Sequence, residues 1–542
     1  MADSKLLRGT MVLTAATLIS KILGFIYIIP FSHIVGAEGI TLYQFGYIPY
    51  TVMLSLATAG VPLAVSKFVS KYQTLGDYET GYRLFRSGLV FMAISGTVAF
   101  LFLFFLAPIL APRISPDAAA GEDHFSITDI VFAIRMVSFA LIIVPVMAII
   151  RGYFQGFQSM GPTSVSQVLE QIVRISFILA AAFFIMNVGS GNQVLAVGFA
   201  VFGAFVGGLG GLAVLLYYWF KRRKGILKSV EASTVHHDIK LKDMYKELLL
   251  YAIPISFVGL AIPLYQFIDL FSVPAGLRAI DFPEATSFFG IYSGMAHKIV
   301  LIPMALATAL SITLVPTITK SFISEDQGTL QKQITQTYQI ILFISLPAAI
   351  GMAVLGDSIY YSLFGSAQAV LGGEVISIYG PIALWFSLFA VTAAILQGMN
   401  RQKFAVVALL IGLIVKALTN YLFILWFGEF GAIYSSYLSF TVSIAINVWA
   451  IGYYADYRYG FILKRLLLMV IFSTIMAVGV WIISEGLQQF LPLESRLNSF
   501  VVMLVSVMVG VIIYFFLAVR SRLAGQILGE RFDLLNYKKK SK

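Results

Sequence analysis

The residues of this chain best suited to chemistry are the few charged side chains inside its long apolar stretches. Five are basic and two are acidic: Lys21, Arg135, Arg174, Lys298 and Lys416, against Glu170 and Asp269. An ionisable side chain at membrane depth is costly, so it usually faces a bundle interior and marks a substrate or ion path. A mainly cationic set of this kind is suited to binding an anion.

Composition indicates which elements must position these charges. The 542 residues are 59% hydrophobic and only 12% charged, which is typical of a polytopic membrane protein and not of a soluble enzyme. A spanning helix needs about 20 mainly apolar residues. Fourteen windows meet that need: 10–35, 40–66, 87–111, 128–150, 163–187, 193–220, 245–272, 286–319, 334–356, 370–397, 404–427, 431–455, 461–484 and 497–519. We predict an all-α membrane protein with fourteen transmembrane helices.

The basic residues also predict the orientation of these helices. With a cytoplasmic N-terminus, the outer loops carry only Arg113, Arg278 and Arg496 of the 37 Lys and Arg residues. Positive residues concentrate in cytoplasmic loops, so both termini are predicted inside. The net charge of +11 is explained by this topology and gives no reason to expect a nucleic-acid partner. The run Lys221–Lys224 is interpreted as a cytoplasmic anchor.

A short motif recurs at an offset of 242 residues. Gln155-Gly156 followed by Arg174 is echoed by Gln397-Gly398 followed by Lys416. We interpret this as a duplication of six spans, which gives two pseudo-symmetric lobes of one orientation that bind substrate at their interface. The predicted division is an N-lobe at 1–220, a basic cytoplasmic linker at 221–244, a C-lobe at 245–456, two further spans at 457–520 and a basic tail at 521–542.

Glycine and proline interrupt the opening spans of both halves. Proline removes a helix hydrogen bond and kinks the helix, and broken helices at matching places in two repeats indicate a transport path. Ordinary membrane-helix curvature is the alternative for any single proline. The candidate hinge residues are Gly24, Pro30, Pro62, Pro254, Pro263 and Pro303.

The basic residues are candidate anion ligands, each with a simpler alternative. Lys21 in span one and Lys298 in span eight either bind an anion or snorkel to the membrane interface. Lys67, at the inner end of span two, is either a ligand or a topological charge. Arg135 either lines a cavity or makes a helix–helix contact.

The acidic residues affect which basic residues are expected to bind an anion. Glu170 and Arg174 lie four apart on one helix face and can pair. Lys416 has Gly412 at the equivalent of Glu170, so Lys416 is predicted to be the better unpaired ligand. Glu170 is a candidate for ion coupling. Asp269 is either an outer-interface residue or part of a cation site with Asn420.

Catalysis has little support in the sequence. The chain has no cysteine, its five histidines are scattered without metal-ligand spacing, and no phosphate-gripping glycine-rich loop is present. We therefore predict no enzyme activity, no metal and no cofactor.

Several motifs resemble those of a known family. They are Lys5-Leu6-Leu7-Arg8-Gly9-Thr10, Ile19-Ser20-Lys21-Ile22-Leu23-Gly24-Phe25, Gln155-Gly156, Gly161-Pro162-Thr163, Leu301-Ile302-Pro303 and Thr313-Leu314-Val315-Pro316-Thr317. The chain resembles the polysaccharide-exporter branch of the MOP superfamily, and within it the MurJ-type lipid II flippases of Gram-positive bacteria and their spore-cortex relatives. The resemblance covers nearly the whole chain and implies a V-shaped pair of six-helix lobes plus two helices.

The resemblance also implies a substrate site. Family members place basic residues in spans one, two and eight around a central cavity, and Lys21 and Lys298 match two of these positions. A second span-one arginine of the family corresponds to about Tyr27, and the span-two arginine to about Ser55. The charge must be arranged differently here. The implied ligands for a pyrophosphate are Lys21, Lys298, Lys416, Arg174 and Lys67.

The function implied is a bacterial plasma-membrane flippase, monomeric, that moves an undecaprenyl-pyrophosphate-linked precursor from the inner to the outer leaflet. Its partners would be that lipid-linked oligosaccharide, membrane lipids and cell-wall synthesis enzymes. The alternatives are a flippase for another polyprenyl-linked glycan (capsule, teichoic-type or spore cortex), a drug or cation antiporter, and a scaffold for wall-synthesis enzymes. The cationic spans disfavour the antiporter.

Overall fold

The computed structural model of the chain describes residues 2–58, 60–115, 124–233, 235, 242–246, 256–493 and 495–528. Throughout these residues the regular structure is helical, and no β-strand occurs among them. The chain forms two compact units, Met1–Arg278 and Ala279–Lys542. The all-α prediction is confirmed for the described part of the chain.

The first unit is built from long helices, of which α7 continues into a π-helical turn at Phe184–Val188. They are α1 (Ala2–Ile26), α2 (Ile28–Thr58), α3 (Val61–Thr74), α4 (Tyr78–Ile114), α5 (Ile127–Ser138), α6 (Ala140–Gly156), α7 (Met160–Phe183), α8 (Gln193–Glu231) and α9 (Ala261–Ala279).

The second unit is also built from helices, with a π-helical turn at Ile291–Ala296 and a 3₁₀ turn at Gly428–Phe430. Its helices are α10 (Ala285–Gly290), α11 (His297–Ile323), α12 (Gln327–Val354), α13 (Gly356–Phe364), α14 (Ala369–Tyr379), α15 (Ile382–Gly398), α16 (Gln402–Phe427), α17 (Gly431–Ala455), α18 (Gly460–Gln488), α19 (Arg496–Arg520) and α20 (Leu523–Leu528).

Eleven segments of the described residues are long and apolar enough to cross a membrane. Two of them, Met11–Thr58 and Gln402–Ala455, have 48 and 54 residues, more than twice the length that one crossing needs. Each contains a glycine with positive φ, Gly36 at 70° and Gly428 at 70°. These breaks divide the two segments, while the predicted span 245–272 lies partly outside the described residues.

The repeated motif forms the same turn in both units. Helices α6 and α15 begin and end at positions 242 residues apart, and each ends at the glycine of its Gln-Gly pair. Two residues later the chain takes a left-handed conformation in both, at Gln158 (φ 54°) and Asn400 (φ 56°). Helices α7 and α16 then also begin 242 residues apart. The backbone geometry of the two units thus repeats at the same offset as the sequence motif.

Close helix packing explains the glycines of this motif. A methyl group at Gly156 would lie 2.7 Å from Cβ of Val69 on α3, and one at Gly398 would lie 2.8 Å from Cγ2 of Ile318 on α11. Small residues at such contacts let two helix backbones approach closely. Gly207 does the same between α8 and α7, because a methyl group there would lie 2.6 Å from Cβ of Arg174.

The first part of the predicted linker at 221–244 is helical. Helix α8 continues through Lys221 and Arg222 to Glu231. Lys and Arg are good helix formers, and here they also cover aromatic rings of the preceding turn. Lys221 Nζ lies 5.8 Å from the ring centre of Tyr217, and the Arg222 guanidinium lies 5.4 Å from that of Tyr218.

The candidate hinge residues differ in their relation to helix ends. Pro30 and Pro263 lie in the first turns of α2 and α9, and Pro62 is the second residue of α3, which begins directly after the left-handed Gly60. A missing N–H costs little at such positions. Gly24 and Pro303 lie inside the unbroken helices α1 and α11, and Pro254 lies outside the described residues. The hinge role of these residues stays a prediction.

Candidate anion-binding site

Arg174 on α7 lies against a cluster of tyrosines from the start and middle of α2. Its Nη2 donates a hydrogen bond to the Tyr43 hydroxyl at 3.1 Å, and its guanidinium carbon lies 5.1 Å from the ring centre of Tyr47. Tyr27, at the break between α1 and α2, donates to the same Tyr43 hydroxyl at 3.4 Å. Tyr47 stacks on Tyr43 and contacts Tyr50, with ring centres 5.4 and 5.6 Å apart. A cation is thus held by phenol groups.

The expected Glu170–Arg174 ion pair is wrong. Glu170 Oε2 instead accepts a hydrogen bond from Arg151 Nη2 at 2.7 Å. Arg151, at the end of α6, also donates to Ser166 Oγ, which in turn donates to the Gly211 carbonyl of α8. This arrangement ties three helices together and neutralises Glu170. The four-residue spacing places Glu170 and Arg174 on one helix face. The Glu170 carboxylate nevertheless pairs with Arg151, which lies on a different helix.

Lys416 is not the unpaired cation that the sequence predicted. Its side chain has no exposed surface, and its Nζ donates to the Ala432 carbonyl at 2.9 Å and to Ser436 Oγ at 2.6 Å, both on α17. A buried ammonium requires such oxygen partners, because an unsatisfied charge in the interior is very costly. The expectation that it has no partner is wrong, and its role in substrate binding stays a prediction.

The other candidate lysines lie nearer the surface of their units. Lys21 on α1 and Lys67 on α3 have exposed side chains, and Lys298 in the first turn of α11 is half-buried. The neighbouring His297 is buried, with its Nδ1 2.8 Å from the Tyr379 hydroxyl. Lys21 and Lys67 thus lie at the surface of the first unit.

Arg135 makes a helix–helix contact. From α5 its Nε donates to the Phe104 carbonyl of α4 at 3.3 Å, and its guanidinium carbon lies 4.7 Å from the ring centre of the same phenylalanine. Of the two interpretations left open by the sequence, the structure supports the packing contact.

The candidate ion-coupling residues lie on three different helices, α7, α9 and α16. Glu170 is engaged by Arg151 on α6. Asp269 on α9 and Asn420 on α16 are both buried, with exposed fractions of 4% and 0%. Across the described residues, no group of three or more His, Asp or Glu side chains is placed to hold a metal ion.

Two parts of this site were not predicted from the sequence. Arg151 lies just beyond the predicted fourth span and was counted with the cytoplasmic charges. The tyrosine cluster carries a signal that was not used, because Tyr43, Tyr47 and Tyr50 follow one another at intervals of four and three residues, which places them on one helix face.

Fold and site together define a multi-pass helical membrane protein that keeps cations inside its spans. Comparison with known families and proteins makes this more specific. Residues 6–322 match the family described as polysaccharide biosynthesis protein. The chain is 44% identical to "Lipid II flippase MurJ" of Bacillus subtilis (strain 168) over 539 residues, 98% of each chain.

Two further comparisons agree. "Stage V sporulation protein B" of the same organism is 26% identical over 442 residues, 78% of each chain. A solved structure of "Lipid II flippase MurJ, inward closed conformation" superposes with a TM-score of 0.65 at 13% identity, covering 96% of this chain and all of that one, and this shows a shared fold. The chain belongs to the polysaccharide biosynthesis protein family, and it is a multi-pass protein of the bacterial plasma membrane.

Proposed function

We propose that this protein is a flippase that moves lipid II, the undecaprenyl-pyrophosphate-linked peptidoglycan precursor, from the inner to the outer leaflet. The observation that carries the proposal is the 44% identity over 98% of both chains with the Bacillus subtilis lipid II flippase. Cations held within the spans support it, because several positive groups can share the charge of a pyrophosphate at low dielectric. The protein acts by transport and not by catalysis.

The proposed movement is alternating access, in which the two repeats of a duplicated bundle rock and expose the substrate to each side in turn. Lys21 and Lys298 are the proposed pyrophosphate ligands, with Lys67 and Lys416 as further candidates. The proposed lobes are 1–220 and 245–456, and the matching bounds of α6 and α15 support the duplication. The protein works as a monomer beside cell-wall synthesis enzymes.

The proposed topology has fourteen spans and both termini inside. The eleven apolar segments become fourteen when the two long ones are divided at Gly36 and Gly428 and the span at 245–272 is added. Because the chain has no cysteine, single cysteines can be labelled from one side without further changes. The Arg113→Cys variant should react with an impermeant maleimide added to intact cells, and the Lys224→Cys variant should react only after permeabilisation. The reverse pattern would overturn the orientation.

The test of function is depletion of this protein in a host without a second lipid II flippase, with measurement of the leaflet that holds labelled lipid II. Inner-leaflet lipid II should accumulate and be cleared by the wild type but not by the Lys21→Ala/Lys298→Ala double variant. Lys332→Ala/Lys403→Ala, which removes two exposed lysines, is the matched control. A normal lipid II distribution on depletion would overturn the proposal.

A second candidate is transport of another polyprenyl-linked glycan, including that of the spore cortex. The 26% identity with the sporulation protein favours it. The same depletion experiment separates the two, because accumulation of a different lipid-linked glycan with normal lipid II would identify this alternative.

A further inference from the structure

Helix α8 is much longer than one membrane crossing requires. Its 39 residues, Gln193–Glu231, extend about 58 Å along the helix axis, about twice the thickness of the hydrocarbon core of a bilayer. The helix carries no charge before Lys221, and from there to its end it carries five basic residues and one acidic residue. Its basic end is therefore a direct continuation of an uncharged membrane span.

One side of this basic extension packs against the first unit. The ring centre of Trp219 lies 5.0 Å from that of Phe85 on α4, and Ile226 packs against the same buried cluster. Ser233, just beyond the end of α8, accepts a hydrogen bond from the Tyr78 N–H at the start of α4 at 3.1 Å. These contacts fix the rotation of the extension about its own axis.

Three lysines lie on the opposite side of the extension and form a lysine stripe (Lys221, Lys224 and Lys228). They follow one another at intervals of three and four residues, so they share one helix face. At 3.6 residues per turn, they lie about 140–180° around the helix from Trp219. All three side chains are exposed. Tyr217 lies on the same face one turn earlier, and the Lys221 Nζ lies 5.8 Å from its ring centre.

The neighbouring Arg222 differs from the lysine stripe because it contacts the protein itself. Its guanidinium carbon lies 5.4 Å from the ring centre of Tyr218 and 5.9 Å from that of Phe154, and its Nη1 donates to Ser159 Oγ at the start of α7. Within the ranges that the structure describes, no carboxylate forms an ion pair with a lysine of the stripe. Three lysines against one acid, Glu231, leave this face of the extension positive.

The lysine stripe begins where the apolar surface of the span ends. Tyr217 and Phe220, directly before it, are 61% and 66% exposed. Aromatic residues are enriched at the boundary between membrane and water, and lysine side chains beside them extend toward the headgroup layer. Clusters of basic residues immediately beyond a span attract anionic lipids. The positive-inside rule accounts for the number of basic residues, but it does not require them to lie on one exposed face.

We propose that the lysine stripe binds the headgroup of an anionic glycerophospholipid of the inner leaflet. The three ammonium groups contact the lipid phosphate, and an acyl chain lies along Tyr217 and Phe220. The ligand is a lipid of the surrounding membrane and not the transported substrate. The inference rests on the proposed topology, which places Lys224 in the cytoplasm, and it does not depend on which glycan is transported.

The test measures the binding of phosphatidylglycerol and of the zwitterionic phosphatidylcholine to the delipidated full-length protein by native mass spectrometry. Lys221→Gln/Lys224→Gln/Lys228→Gln should bind phosphatidylglycerol about ten- to hundredfold more weakly than the wild type, because each lysine near the headgroups adds to the attraction. Binding of phosphatidylcholine should be unchanged. The corresponding triple arginine variant keeps the charge and should bind phosphatidylglycerol within about threefold of the wild type.

Arg222→Gln is the matched control within the same basic run, because its guanidinium is held by protein groups. It should bind phosphatidylglycerol within about twofold of the wild type, whereas Lys224→Gln alone should bind about three- to fivefold more weakly. The triple variant Lys320→Gln/Lys332→Gln/Lys403→Gln, which removes three exposed lysines of the second unit, controls for total charge and should bind like the wild type. Thermal unfolding identifies any variant that does not fold.

The outcomes separate this inference from the proposed function. Equal weakening by Lys224→Gln and Arg222→Gln would show that only total charge matters and would overturn the lysine stripe as a site. Unchanged phosphatidylglycerol binding by the folded triple glutamine variant would also overturn it. If that variant lost binding of heparin but kept phosphatidylglycerol, the stripe would be assigned to a soluble anionic partner and the lipid site would be overturned. None of these results bears on the clearance of inner-leaflet lipid II in cells, which tests the flippase function.

Discussion

Arg151 Nη2 lies 2.7 Å from Glu170 Oε2, and this pair joins the end of α6 to α7. It leaves Arg174, on the same helix as Glu170, to the tyrosines of α2. Among the residues that the structure describes, Glu170 thus pairs with the arginine of another helix and not with the arginine of its own.

The first prediction concerns this pair. Glu170→Gln and Arg151→Met should each destabilise the protein by about 1–3 kcal/mol, because each leaves a half-buried charged partner without its counter-charge. The double variant should recover part of that loss. Thermal unfolding in detergent measures the coupling energy. The Glu170→Gln/Arg174→Gln cycle is the comparison and should be additive within about 0.5 kcal/mol; strong coupling there, with none to Arg151, would contradict the structure.

The duplicated glycines give the second prediction. Gly156→Ala and Gly398→Ala should each destabilise the protein by about 1–3 kcal/mol, since the added methyl group would lie within 3 Å of a side chain on a neighbouring helix. Gly161→Ala is the control because no atom lies within 4 Å of that methyl position. Thermal unfolding should show little change for Gly161→Ala. An equal loss in all three variants would show that contact with a neighbouring helix is not responsible.

The third prediction concerns the buried lysine of α16. Lys416→Ala should cost about 2–5 kcal/mol, because it opens a cavity and removes the ammonium donor from the Ser436 hydroxyl and one of two side-chain donors from the Ala432 carbonyl. Lys416→Met fills most of the volume and should cost less. Lys403→Ala, on an exposed position of the same helix, should be nearly neutral. Unfolding midpoints of the three variants test the order, and equal midpoints for Lys416→Ala and Lys403→Ala would contradict it.

Gly36 supports a fourth prediction. Its backbone (φ 70°, ψ 178°) lies in a region that only glycine adopts readily, and no atom lies within 4 Å of its added methyl position. Gly36→Ala should therefore cost about 1–3 kcal/mol through backbone strain alone. Gly225→Ala, also with open space around it, should not destabilise the protein. Unfolding measurements that place Gly36→Ala level with Gly225→Ala would rule out this strain.

The same turn bears on the tyrosine cluster. Gly36 reverses the chain between Tyr27 and Tyr43, whose hydroxyls meet at 3.4 Å. A strained turn at position 36 should weaken the binding of undecaprenyl pyrophosphate to the full-length protein in lipid nanodiscs, measured by native mass spectrometry. Unchanged binding by a destabilised Gly36→Ala variant would show that the tyrosine pair does not depend on this turn.

The sequence predicted the repeated elements well because their signals are local. Apolar run length identifies spans, and the Gln-Gly pair at an offset of 242 residues identified the turn after α6 and α15. Partners were predicted poorly because they are not local. The spacing of Glu170 and Arg174 carries no information about Arg151, which lies on a different helix. Lys416 donates to a backbone carbonyl, and every residue type has one, so the sequence does not identify this partner.

Arg174 and Lys416 occupy the same position of a duplicated unit, yet one lies among phenols and the other is enclosed by a carbonyl and a hydroxyl. The two positions are therefore expected to tolerate different changes. Lys416 is enclosed by protein groups, so we expect substitutions at position 416 to act first on stability. Arg174 lies among phenol groups, so we expect substitutions at position 174 to act first on ligand binding. Efforts to evolve a different headgroup preference should therefore diversify the first copy and leave the second untouched.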